Sequence, residues 1–291
     1  MLRLFMRLVY GVRDWSSSAC TLIGPCALAP PPVSSVPMKP IRFFDANVAV
    51  GPRKVISWGQ PVAAADVFSR LRECGIEEAL VFHTTAVENH PAVGNARIAE
   101  EIRGIPGAWP VWAMLPFTTN ELGDEASLRR AMKDAGVKAV LVYPADHLYC
   151  GAEWCCGDLY DMLEDMRMPV FTRFSPADFT WTELAGFLSA HPKLPVVLRG
   201  VNYQVDRSAY RLLEKHPNLH IETARYLVFS GIEEVVRLFG SRRLVFGSEA
   251  PLLSPGAAVT PILTASIADA DKERIAGDNL RELVQGVRYD A

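Results

Sequence analysis

The chain has 291 residues, 49% hydrophobic and 22% charged, with a formal net charge of −3. That length and balance fit one large domain or two small ones and give no electrostatic footprint for nucleic acid. After residue 40 no run of about 18 uncharged apolar residues occurs, which argues against a membrane span there. The six cysteines (Cys20, Cys26, Cys74, Cys150, Cys155 and Cys156) form no CxxC pair and no regular framework. That usage suits a reducing compartment, so a cytoplasmic location is expected.

Residues 1–40 differ from the rest. "MLRLFMRLVYGVRDWSSSACTLIGPCALAPPPVSSVP" combines Arg3, Arg7 and Arg13 with a serine run and a proline run. A basic, acid-poor start is compatible with a targeting segment, but Arg13, Asp14 and the serines interrupt any continuous apolar stretch. The expectation is a disordered or over-extended start before Met38. The predicted domain covers 41–291.

From residue 41 a short apolar, β-branched run, a polar loop and an amphipathic helical stretch alternate. The runs are "IRFFDANVAV" (41–50), "EALVFHTTA" (78–86), "AWPVWAMLP" (108–116), "VKAVLVYP" (137–144), "MPVFTRFS" (168–175), "LPVVLRGVN" (194–202), "NLHIETARY" (218–226) and "RRLVFGSEAP" (242–251). Helical stretches include "AAADVFSRLRECG" (63–75), "GDEASLRRAMKDAG" (123–136) and "GIEEVVRLFG" (231–240). In the last, Ile232, Val235, Val236 and Phe239 recur at the helical period. Gly75, Gly136 and Gly240 stand where helices commonly stop. Eight strand-like runs alternating with helices predict a (β/α)8 TIM barrel. Their continuous apolar character is that of parallel strands covered on both faces. A doubly wound sheet is disfavoured, because no Gly-rich dinucleotide loop follows the first run.

Barrels of this kind carry their chemistry at the C-terminal ends of the strands. The polar residues collect at those ends: Asp45 and Asn47, His83, Tyr143, Arg173, Arg199 and Asn202, Glu222 and Arg225, and Glu249. Strand alternation puts Asp45, Asn47 and Ala49 on one face. Ionised groups removed from water cost several kcal/mol each unless paired, so their concentration there predicts a functional mouth.

Taken together, "FFDAN" followed by Gly51, "LAGFLSAHPKLPVVLRG" (184–200), "RRLVFGSEAP" (242–251) and "DADKERIAGDNLRELV" (269–284) resemble the amidohydrolase superfamily. The likeness is to the amidohydrolase-related branch, which includes decarboxylases and small-molecule hydrolases, and runs from about 41 to 285. It implies a divalent metal, usually zinc, held by a His-x-His on the first strand, a histidine on each of the fifth and sixth, and an aspartate on the eighth. In this sequence those positions fall on Asn47 and Ala49, on Arg173, on Gly200 or its neighbour Arg199, and on Glu249. Amide, methyl and guanidinium groups do not replace imidazole as zinc ligands. The standard metal centre is therefore not expected. An unconventional set from Asp45, His83 and Glu249, with Glu222, stays open.

Two further readings stay open beside it. Arg173, Arg199 and Arg225 could hold a small organic anion bidentately, with Asp45, His83, Glu222 and Glu249 as acids or bases and Asn47, Tyr143 and Asn202 as binding groups. Alternatively, Arg173–Glu222 and Arg225–Glu249 pair off as ionic plugs. The resulting expectation is a hydrolase or carbon–carbon lyase acting on a carboxylate-bearing substrate, against a non-catalytic barrel that binds an anion or a partner protein. A homodimer is left open. His90 and His147 read as loop residues, and His191, His216 and His220 as structural. Adjacent Cys155 and Cys156 lack any group that would lower a thiol pKa.

Overall fold

A computed structural model describes residues 41–55 and 58–290. The expectation about residues 1–40 lies outside the described residues. Eight parallel strands follow one another in chain order around a sheet. They are β1 (Phe43–Val50), β2 (Ile76–His83), β3 (Ala108–Ala113), β4 (Ala139–Leu141), β5 (Val170–Arg173), β6 (Val196–Arg199), β7 (Leu219–Glu222) and β8 (Leu244–Val245). Bonds from Ala46 N–H to the Phe246 carbonyl (2.9 Å) and from Ala49 N–H to the Ala250 carbonyl (2.8 Å) close the sheet on itself. The fold is the expected (β/α)8 barrel. All strands but β1 end earlier than their apolar runs.

The helices are α1 (Ala64–Glu73), α2 (Thr84–Glu88), α3 (Pro91–Glu101), α4 (Glu125–Ala135), α5 (Glu153–Asp165), α6 (Trp181–Ala190), α7 (Asp206–Lys215), α8 (Gly231–Phe239), α9 (Pro255–Thr264), α10 (Asp269–Glu273) and α11 (Asn279–Gln285). Local signals set their ends. Asp124 caps α4 by accepting the Ser127 N–H, and Gly136 ends it in the left-handed conformation. A capping box of Thr180 and Glu183 starts α6.

Buried side chains fall into two clusters. Phe44, Ala46, Leu80, Phe82, Val111, Leu141, Tyr143, Phe171, Val197 and Val245 fill the barrel interior, with Leu280 of α11 packed against them. Val48, Val81, Val140, Val170, Val196, Leu219 and Leu244 face the helices with Phe68, Leu71, Leu163, Phe187 and Val235. Both strand faces are thus buried, which explains the unbroken apolar runs.

One irregularity decides how β1 presents its polar residues. Asp45 is level with Ala79 of β2, but the next partners are Val48 and Val81, so β1 advances three residues while β2 advances two. The extra residue is a β-bulge that shifts the phase of alternation. Asp45 and Asn47 therefore do not share a face as simple alternation predicts.

Candidate active site at the barrel mouth

The C-terminal ends of β1, β5, β6, β7 and the segment after β8 surround a cavity of about 540 Å³, lined by Asn47, Asp146, Arg173, Arg199, Asn202, Glu222, Arg225 and Glu249 among others. Arg199 lies at its floor, only 7% exposed. Its guanidinium donates to the Tyr143 hydroxyl and to Asn47 Oδ1. It also stands over the Phe82 ring, 5.6 Å from the centroid. Burial raises the Tyr143 phenol above its ordinary pKa, so it stays neutral beside the arginine.

Glu222 ends β7 and is 1% exposed. Its Oε1 accepts the Ala224 N–H at 2.7 Å, and its Oε2 accepts from Asn47 Nδ2 at 3.5 Å. Burial is the dominant influence and pushes the carboxyl up to about 7, against the opposing pull of Arg199 and the Ala224 N–H. Gly247 makes room for it, since a Cβ there would lie 1.9 Å from Oε1.

The other two arginines already have carboxylate partners. Arg173 Nη1 lies 3.0 Å from Asp146 Oδ2 and Nη2 lies 3.1 Å from Asp178 Oδ2. Its guanidinium covers the Tyr143 ring at 4.3 Å. Arg225 grips Glu249 with two bonds, Nε to Oε2 at 2.5 Å and Nη2 to Oε1 at 2.9 Å. Glu249 holds a left-handed backbone (φ +57°), a conformation that non-glycine residues adopt where surrounding structure enforces it. Asn202 Oδ1 is engaged locally by the Gln204 N–H at 2.9 Å.

Several expectations need correcting. Asp45 does not line the cavity: its Oδ1 accepts the N–H groups of Asn47 and Ser248, each at 2.9 Å, and ties the β1 bulge to the turn after β8. His83 is also turned away, because Phe82 is the β2 residue that packs into the barrel interior. The His83 ring instead accepts the Thr85 N–H through Nδ1 (3.1 Å) at the start of α2, and it lies against Gly51. The pair Arg173–Glu222 does not form, whereas Arg225–Glu249 does. Sequence reasoning assigned no site role to Asp146, Asp178 or Phe82. The available signal was that a guanidinium at a strand end demands acids in the adjoining loops.

The donor set at the mouth does not fit a divalent ion. Cationic guanidinium groups of Arg173 and Arg199 stand at the strand ends, and Asn47 offers its amide oxygen to Arg199 rather than to open space. Asp45, His83 and Glu249 do not bring their ligand atoms together. Among the described residues one group of three could hold an ion, and it consists of Asp161, Glu164 and His191, away from this cavity.

A closed barrel with ionisable groups gathered at the strand ends defines a TIM-barrel protein with a candidate site at its C-terminal face. The amidohydrolase family model matches residues 58–285, and the chain belongs to that family. Family members and the named structural neighbours include enzymes, decarboxylases among them. An uncharacterized TIM-barrel protein from Bordetella bronchiseptica is similar with a TM-score of 0.65 and 17% identity, covering 84% of this chain and 99% of that one. A 2,6-dihydroxybenzoate decarboxylase from Rhizobium is similar at 0.62 and 17% identity, with 85% and 99% covered. A 5-carboxyvanillate decarboxylase from Novosphingobium aromaticivorans, complexed with manganese and 4-hydroxy-3-methoxy-5-nitrobenzoic acid, is similar at 0.62 and 10% identity, with 84% and 96% covered. At these identities the likeness is one of fold. No curated relative matches the sequence. Among the described residues no helix is long and apolar enough to cross a membrane.

Proposed function

We propose that the chain is an enzyme of the amidohydrolase family that acts on a small carboxylate-bearing organic molecule, without a metal at the mouth, as a carbon–carbon lyase. The observation that carries this reading is the buried Glu222 carboxyl, held at about 7 beside the buried Arg199 at the cavity floor. A group with that affinity exchanges a proton near neutral pH, where general acid–base catalysis is most effective. Of the three arginines lining the cavity, Arg199 is the one with no carboxylate ion-paired to it among the described residues, which leaves its charge to an incoming anion. Names of structural neighbours point to hydroxylated benzoates as the first substrates to try.

In the lyase direction, the bond between a ring carbon and its carboxylate breaks and its electron pair stays on the carbon. Protonated Glu222 delivers its proton to that carbon, carbon dioxide leaves, and solvent reprotonates Glu222. In the hydrolytic direction, ionised Glu222 would instead take a proton from water. The two directions carry opposite pH signs. A lyase loses kcat/KM as pH rises through about 7, the value for Glu222, and a hydrolase gains it.

The test is carbon dioxide release from a panel of hydroxylated benzoates, followed against pH in the wild-type chain and in Glu222→Gln. The expected result is a loss of about 10²–10⁴-fold in kcat/KM for the variant, the usual contribution of a proton-transfer group. Full activity in the variant would overturn the assignment. The prior pairing of Arg173 and Arg225 with acids favours a second reading, a non-catalytic anion-binding barrel. Saturable benzoate binding with no turnover would select it.

A further inference from the structure

A second polar cluster lies on the outer helical layer. His191 follows α6 and caps its end, just before β6, while Asp161 and Glu164 lie in the last turns of α5, just before β5. The cluster is therefore at the N-terminal ends of the strands, opposite the mouth. His191 is 3% exposed, and its Nε2 lies 3.1 Å from Glu153 Oε2 and 3.2 Å from Glu153 Oε1. A carboxylate only accepts, so Nε2 carries the proton and Nδ1 is left as the ring's remaining polar atom. Among the described residues Nδ1 is buried without a hydrogen-bond partner. It points between Asp161 Oδ1 and Glu164 Oε2, each 3.6 Å away.

From this arrangement the geometry points to a metal site for a zinc-type divalent ion, with His191 Nδ1, Asp161 and Glu164 as ligands. The candidate ligand atoms lie within 4.8 Å of one another. An ion about 2.0–2.2 Å from tetrahedral N and O ligands sets those ligands roughly 3.3–3.5 Å apart, so small side-chain movements complete the site. A mixed imidazole and carboxylate set suits zinc better than calcium or magnesium. The supports around it have the form found at metal sites, where outer carboxylates and N–H groups orient the ligands. Glu153 holds the Nε2–H, and the Lys193 N–H binds Glu164 Oε1 at 2.6 Å, leaving Oε2 for the ion. Tyr160 and Phe187 pack on the imidazole at 5.6 and 5.7 Å between ring centres. Asp161 and Glu164 are three residues apart on one helix, hence on one face. Asp161 is exposed, so water would complete the coordination from its side. The ion would fasten the end of α5 to the end of α6.

The test uses the full-length chain, stripped with a chelator and titrated with zinc chloride by calorimetry, with cobalt(II) as a spectroscopic substitute. Expected is one saturable site per chain, a tetrahedral cobalt spectrum, and binding weakened at least tenfold in Asp161→Asn and in Glu164→Gln. Asp161 is 72% exposed, so its variant keeps the fold. Glu222→Gln should bind zinc as the wild type does, which separates this site from the mouth. Absence of saturable uptake, or uptake equal in the wild type and both ligand variants, would overturn the proposal and leave His191 as the centre of an ion-pair cluster. So would loss of uptake in Glu222→Gln.

Discussion

Burial that raises the Glu222 carboxyl from its ordinary 4.5 to about 7 also makes the folded state sensitive to pH. Between those two values the unfolded chain has released its proton while the folded chain still holds one. The folded state then binds more protons, so stability falls as pH rises through this window and is unaffected by Glu222 below it. The gap corresponds to roughly 3 kcal/mol at most. Asp45, also raised by burial, acts with the same sign, so the informative comparison is between variant and wild type. Glu222→Gln, which keeps an acceptor for the Ala224 N–H, is expected to flatten the decline between pH 4.5 and about 7 in urea unfolding. A variant whose stability falls with pH as steeply as the wild type would contradict the burial-driven shift. That Glu222 ends a strand is legible in "NLHIETARY", but its proton affinity depends on burial and on Arg199, Asp45 and Glu249, which lie far from it in sequence.

At the scale of elements, one carboxylate reinforces the main-chain bonds that join β1 to the turn after β8. Asp45 accepts two main-chain N–H groups, and losing it leaves both without a partner in a buried place. An orphaned buried donor costs about 1–3 kcal/mol, so Asp45→Ala is expected to lose about 2–5 kcal/mol in chemical denaturation. Asp45→Asn retains an acceptor oxygen and is expected to stay within about 1 kcal/mol of wild type. Equal losses in the two variants would mean that the charge, not the acceptor, holds the seam. The bulge also explains why strand alternation misplaced this residue. A period of two is exact only in a regular strand, and the extra residue between Asp45 and Val48 exchanges the two faces. His83 failed for a related reason, since the strand's interior parity belongs to Phe82.

For the whole molecule, the C-terminal segment acts as a strap across the helical layer. The Tyr289 hydroxyl donates to the Val137 carbonyl, the Arg288 N–H donates to the Met166 carbonyl at 2.8 Å, and Lys138 lies over the Tyr289 ring at 5.4 Å. Tyr289→Ala removes a half-buried ring and its hydrogen bond, an expected cost of about 2 kcal/mol, which lowers the melting temperature by roughly 4–8 °C in a chain of this size. Asp290→Ala breaks only an exposed ion pair with Lys133 and is expected to change stability by less than about 0.5 kcal/mol. A calorimetric scan of both variants checks the contrast, and equal melting temperatures would refute the strap.

What the sequence alone determined is the eightfold alternation of apolar runs and amphipathic helices, and with it the barrel and the end of the barrel where Arg173, Arg199, Glu222, Arg225 and Glu249 gather. Those features are local or periodic, and backbone geometry turns them into architecture directly. Only the tertiary structure decided which acid neutralises which arginine, that Asp45 fastens the seam while Asn47 faces the cavity, and that His191 lies buried between carboxylates at the opposite end. Such pairings depend on the closure of the cylinder and on a one-residue bulge, and no periodicity along the chain encodes the distances that result.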